Sequence, residues 1–165
     1  MEYYPFLFII KQKEFYCIWY SEDKDGFVTE NNKVKFFETE KMLFDYAKLK
    51  NIEFMENKIT SFSIDQAINW LTRKNAIIKS DYFLDFWNLI TDLAYSVGDN
   101  FYGDAKEEAI HKVYDKLFWG NNLPAVTPKG KKFKPVLEYK QRKILVDIVK
   151  DGIRIINSLN SCIRN

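Results

Sequence analysis

The side chains that could do chemistry are few and scattered. His111 is the only histidine, and it lies among Glu107, Glu108 and Lys112 in a helical pattern, which reads as a surface position. Glu22-Asp23-Lys24 and Glu56-Asn57-Lys58 each supply the Glu-x-Lys half of a metal-dependent nuclease site. Such a half-motif needs an upstream aspartate on a neighbouring strand, and Asp45 falls on a predicted helix. Asp23-x-Asp25-Gly26 opens like a calcium loop but lacks the later ligands and the terminal glutamate, so it reads as a turn. No nucleophile elbow, zinc-protease helix, phosphate loop or dinucleotide fingerprint is present. Cys17 and Cys162 have neither the spacing nor the histidine neighbours of a metal site and read as buried thiols. The expectation is a protein that is no enzyme, holds no metal or cofactor, and takes no small-molecule substrate.

Two charge patterns remain. Asp81, Asp85, Asp92 and Asp99 recur at four and seven residues, so a helix would carry them, with Asn88, on one stripe. Glu107, Glu108 and Asp115 add acid nearby in sequence. That stripe is either a solvated face or a negative patch for a basic partner such as a nuclease. Lys129, Lys131, Lys132 and Lys134 form a basic run around Phe133. An aromatic among lysines can stack a base, but the run also suits a charged loop rim.

The elements that would position these groups follow from the hydrophobic pattern. Phe6–Ile10 and Phe15–Tyr20 are short, β-prone and apolar at nearly every position, joined by the polar Lys11-Gln12-Lys13-Glu14. Such strands are buried on both faces or keep one face for a partner. Asp25-Gly26 and Asn31-Asn32 are turn signals before Phe27-Val28-Thr29 and Val34-Lys35-Phe36-Phe37.

From Thr39 the period becomes helical. Thr39 is a candidate N-cap for a helix ending near Asn51, followed by an extended piece at Ile52-Glu53-Phe54. Ser63-Ile64-Asp65-Gln66 matches a capping box, with Phe62 placed to staple onto Ala67. A third helix spans Ser80 to Gly98, where the glycine suits a C′ position. It is apolar around most of its circumference, which predicts a central helix. Two more run from about Ala105 to Phe118 and from about Glu138 to Leu159. Gly152, inside the last, marks a close helix contact or a kink. The long segment from Gly120 to Pro135 has no element of its own, and Leu123, Ala125 and Val126 suggest that it packs on the body. The fold class expected is α+β: an N-terminal antiparallel β-meander of three to four strands packed against a C-terminal set of about five helices.

The chain has 165 residues, enough for one domain spanning 1–165 that needs no disulfide or metal to be stable. Net charge is +2, from 25 basic and 23 acidic residues, a balance that argues against nucleic acid as the main partner. No run approaches the length of a membrane span, and the N-terminus lacks the basic region of a secretory signal. A soluble cytoplasmic protein is expected, with no nucleic acid and no membrane among its partners. Aromatic residues reach 17%, which serves either an aromatic-rich core or an interface.

Two stretches carry a family resemblance: Asp81–Val97, with Trp87-Asn88-Leu89-x-x-Asp92, and Tyr114–Pro128, with Asp115-Lys116-Leu117-Phe118-Trp119-Gly120-Asn121-Asn122-Leu123-Pro124. With the strand-rich front and Phe36–Lys48, they resemble bacterial immunity proteins of contact-dependent growth inhibition systems over roughly residues 5 to 155. The resemblance implies stoichiometric binding to a cognate toxin C-terminal domain, a nuclease in one branch, with a toxin hairpin adding to the immunity protein's sheet. An open sheet edge permits such addition. The expected toxin-binding residues are Tyr16, Trp19 and Tyr20 on the second strand, with Trp119, Asn121 and Asn122 in an adjoining loop. Trp and Tyr are common interface anchors. The asparagines equally suit a loop-fixing role through bonds to backbone groups. The alternatives are a small metal-dependent nuclease using Glu22 or Glu56, or a nucleic-acid-binding module using the Lys129–Lys134 run.

Overall fold

In a computed structural model, which describes residues 1–160, the front of the chain folds as a long hairpin. Strand β1 (Glu2–Ile10) pairs antiparallel with β2 (Lys13–Ser21), with Phe6 opposite Cys17. Both faces of this hairpin are used. Phe6, Phe8, Ile10 and Cys17 point into the larger core, with Phe15 and Trp19 beside them. Tyr3, Tyr16 and Ile18 point to the opposite side, against Leu43 and Ala47 of α1 (Glu40–Leu49). Alternation is absent from the sequence because each face meets a helical layer of its own.

Short elements complete the sheet. Strand β3 (Gly26–Phe27) pairs with β2; β4 (Thr29–Glu30) and β5 (Lys33–Val34) form a separate small hairpin around Asn31 and Asn32, both at positive φ. Strand β6 (Thr60–Ser63) lies parallel to β1, so the sheet is mixed, in the order β3-β2-β1-β6. The sequence pattern suggested only antiparallel pairs; the helical crossover through α1 is what returns the chain in the same direction. Pro5 is tolerated inside β1 because it faces Ile18 at a non-hydrogen-bonded position, with the Ile18 carbonyl turned outward to the Val28 N–H at 2.9 Å.

Four helices cover the larger core: α2 (Asp65–Leu71), α3 (Ser80–Val97), α4 (Glu108–Gly120) and α5 (Tyr139–Asn160). Helix α3 is the central one, burying Phe83, Leu84, Phe86, Trp87, Ile90, Leu93 and Ala94. Each of the phenylalanine, leucine and isoleucine side chains contributes roughly 1.5–3 kcal/mol by leaving water. Thr39 caps α1 by accepting from the Met42 N–H, and Gly98 ends α3 at φ 68°, both as their residue types predict.

The capping box at Ser63 does not form. The Tyr82 hydroxyl from α3 takes its place, accepting from the Ala67 N–H at 3.0 Å and donating to the Ser63 carbonyl at 2.7 Å. Phe62 stacks on Tyr82 and packs against the cluster that contains Ala67. Asp65 turns away from its helix and accepts from the Lys11 and Gln12 N–H groups in the β1–β2 turn. Gly26 has no positive φ; it is small because a Cβ there would meet the Tyr20 hydroxyl and Ser96 Oγ. Cys17 is fully buried, and burial pushes its thiol well above the usual range. Cys162 lies outside the described residues. No described helix is long and apolar enough to cross a membrane.

Candidate functional site

The expected contact residues fall into two groups at opposite ends of α3. Tyr20 and Ser96 both close on Gly26 near the helix C-terminus, whereas Gly120 packs on Ser80 at its first residue. Sixteen positions at the helical rise separate these points by ~24 Å. Tyr16, Trp19 and Tyr20 therefore share no continuous patch with Trp119, Asn121 and Asn122.

The strand group is largely engaged inside the fold. Tyr16 lies on the α1 side and donates its hydroxyl to Glu14. Trp19 lies on the other side, half-buried, and donates its indole N–H to the Asp92 carboxylate at 2.9 Å. The hairpin's edges are also engaged. Tyr16 exchanges two backbone bonds with Phe37, Ile18 bonds Val28, and Tyr20 pairs with Gly26. On the other side, β6 pairs with Phe6–Ile9 and Met55 bonds Tyr3. Of the outer strands, β3 donates the Phe27 N–H to Ser96 Oγ, and β6 has its Ser63 carbonyl capped by Tyr82. Thr60 and Ser61 are the exposed part of that border.

The second group is presented differently. Trp119 sits in the last turn of α4, not in a loop, and is 42% exposed. Phe133, 38% exposed, returns to it from the following segment with ring centroids 5.6 Å apart. Asn122 makes this return possible. Its Oδ1 accepts from the Phe133 N–H at 2.6 Å; its amide donates to the carbonyls of Phe133 and Gly120. Its φ of 49° is one that asparagine tolerates. Lys116 adds a second pin, donating to the Val136 carbonyl and to Gln141. Asn121 forms the C-cap of α4 through its backbone N–H. Asn122 thus fixes the segment, one of the two roles its type suggested.

Asp115, Lys116, Trp119, Phe133, Lys134 and Pro135 line an open, mostly apolar cleft of about 410 Å³. Lys134 belongs to that lining, and Lys129, Lys131 and Lys132 precede it on the same segment; all four are exposed and outside any ion pair among the described residues. Leu123, Ala125 and Val126 do not pack the segment onto the body; all three are exposed. The pins are polar and aromatic, a device that hydrophobic patterning cannot register.

The expected aspartate stripe is cut short: Asp81, Asp85 and Asp92 lie on α3, whereas Asp99 falls past its C-cap Gly98, and each has a local role. Asp99 is held below the usual carboxylate range by hydrogen bonds from Arg154. Asp92 is raised to about 6, chiefly by burial and against the stabilising Trp19 N–H. Asp85 is raised by burial and by neighbouring Asp81. Asn88 accepts from the Tyr114 hydroxyl. Only the Asp81–Asp85 end faces solvent as free acid. His111, Glu22 and Glu56 are exposed, and Asp45 pairs with Lys41. Among the described residues no three metal-ligating side chains converge.

No protein-family model matches the chain, and no curated protein does. Among solved structures it is similar to one described as the crystal structure of SatS c-terminal domain in complex with bromine. That likeness covers 97% of this chain and 91% of the other, at 14% sequence identity and a TM-score of 0.48. At those values it adds nothing to the argument about function.

Proposed function

We propose that this chain is an immunity protein of the contact-dependent growth inhibition type, which binds a cognate toxin domain one-to-one in the cytoplasm and neutralises it without catalysis. The observation that carries this reading is the presentation of Trp119 and Phe133 together at the surface, on a segment pinned by Asn122. Two large rings held in place before binding lose little entropy on docking, which is what an interface anchor needs. The segment that bears them, Tyr114–Pro128 and its continuation, includes one of the two stretches in which the chain resembles that family.

Docking centres on the end of α4 and the segment after it. The hairpin edges already have backbone partners, so strand addition has only the short β6 border to use. Tyr16, Trp19 and Tyr20 then act within the fold.

The test is calorimetric titration of the purified full chain with the toxin domain encoded immediately upstream of its gene. One-to-one binding at nanomolar strength or tighter is expected. Trp119→Ala, a change at an exposed ring, weakens it by ~2 kcal/mol or more while leaving the fold intact. Absence of binding to that domain ends the reading. Normal binding by the folded variant moves the interface elsewhere.

A further inference from the structure

The cleft beside Trp119 combines an apolar floor with a neighbouring lysine run. Its floor is apolar: two exposed rings, Pro135 and the stem of Lys116. Lys134 lines it, and Lys129, Lys131 and Lys132 stand just before it on the same segment, with no acid paired to any of the four among the described residues. Lys116, by contrast, is held by the Val136 carbonyl and Gln141. A desolvated apolar centre with a charged rim is how protein interfaces divide their labour: the centre supplies affinity, the rim steers and selects.

We infer that this cleft takes an acidic polypeptide segment carrying one bulky apolar side chain, the anchor seating against Trp119 and Phe133 while flanking carboxylates meet the four lysines. The inference rests on the reading that this surface is the docking site, and it gives the partner's chemistry. Charge complementarity selects the acidic flanks. The cleft volume is in the range of pockets that enclose a compact apolar group.

A nucleic acid fits less well for two reasons. The Trp119 and Phe133 rings are inclined at 57°, so they offer no parallel slot for a base. Asp115 also lines the cleft, and a nucleic acid carries a negative charge at every nucleotide for it to repel. A carboxylate-bearing chain can place its charges on the lysine side alone.

The experiment is selection from a random peptide display library on the intact chain, in parallel with the variant K129E/K131E/K132E/K134E. All four lysines are exposed, so the variant keeps the fold, which circular dichroism verifies. The expected winners carry acidic residues on both sides of one large apolar residue. A synthetic copy of a winner should bind the parent chain at least about tenfold more tightly than the lysine variant, and more weakly as salt rises. It should also bind Trp119→Ala poorly. Winners without acidic bias, binding indifferent to the lysine changes, no enrichment, or displacement of the peptide by oligothymidylate each overturn the inference. Peptide binding without binding to the upstream toxin leaves this inference standing and removes the toxin. Toxin binding that survives reversal of all four lysines does the opposite.

Discussion

Trp19 and Asp92 meet across the interface between the sheet and α3, the indole N–H donating to carboxylate Oδ2 at 2.9 Å. The two positions are 73 residues apart. Burial raises Asp92 to about 6, with Asp25 and Asp104 adding smaller repulsion and the indole opposing them. A carboxyl whose folded pKa lies above its unfolded value contributes stability that is complete below about pH 4 and is lost as pH rises through about 6. Asp92→Asn keeps an oxygen for the indole and removes the charge. It should leave stability nearly unchanged at about pH 4 and raise it at neutral pH by about 1 kcal/mol, the shift being discounted for partial solvent exposure. Urea midpoints across that window measure the gap, and a gap that fails to open with pH refutes the assignment.

Asn122 is predicted to order the segment that carries Phe133. Asn122→Ala removes three side-chain hydrogen bonds and places a less suitable residue at φ 49°. Asn122→Gly removes the same bonds but accepts the backbone angle. Each should lose about 1 kcal/mol or more, alanine the larger share. Both should speed proteolytic nicking between residues 123 and 135. Unchanged nicking in both variants would show that the aromatic contact alone holds the segment.

The β1–β2 turn depends on a distant carboxylate. Lys11 and Gln12 adopt φ of 50° and 60°, the pattern of a type I′ turn, although neither is a favoured residue there. Asp65 accepts from both N–H groups, at 2.6 and 2.9 Å. Asp65→Ala should cost about 1–2 kcal/mol. The double change Lys11→Asn and Gln12→Gly should recover about 0.5–1 kcal/mol by relieving the backbone. Thermal melts of the single, double and triple variants test this, and no recovery would mean the turn is unstrained.

Gly152 is predicted to resist alanine. A Cβ would lie 2.7 Å from Phe86 Cζ and 3.1 Å from Ile90, both on α3. Helix propensity alone favours alanine by about 1 kcal/mol. Overpacking a buried helix contact costs about 1–3 kcal/mol, so the net change should be destabilising. A raised urea midpoint for Gly152→Ala would show that α3 and α5 pack less closely.

Where local chemistry decides an element, the sequence could be read directly. Thr39 and Gly98 delimit helices because caps act within one turn. The aromatic hairpin was legible as a pair of strands, and all five helices as periodic apolar stripes. Other signals were local in form but lost to a tertiary competitor. Ser63 and Gln66 could have formed a capping box, yet α2 starts a residue later, with Ile64 at its N-cap, Tyr82 bonds the Ala67 N–H and the Ser63 carbonyl, and Asp65 is drawn to the hairpin turn. Asp81, Asp85 and Asp92 share α3 as their spacing suggests, but the helix ends before Asp99, and Trp19 and Arg154 reach Asp92 and Asp99 from elements that the spacing does not mention. Trp119 and Phe133 were each visible as candidate contact residues, but their pairing was not, because Asn122 turns the segment back over fourteen residues.

Residue types and their spacing thus determined the class of fold, the hairpin and the five helices, though not the parallel strand β6, and the presence of more apolar strand surface than alternation can explain. Only the tertiary structure decided which aromatics stay inside. Helix α1 covers one face of the hairpin and α3 the other, while Asn122 turns Phe133 back onto Trp119. Periodicity records preferences over a few neighbouring residues. Burial of a given ring depends on what crosses over it from tens of residues away.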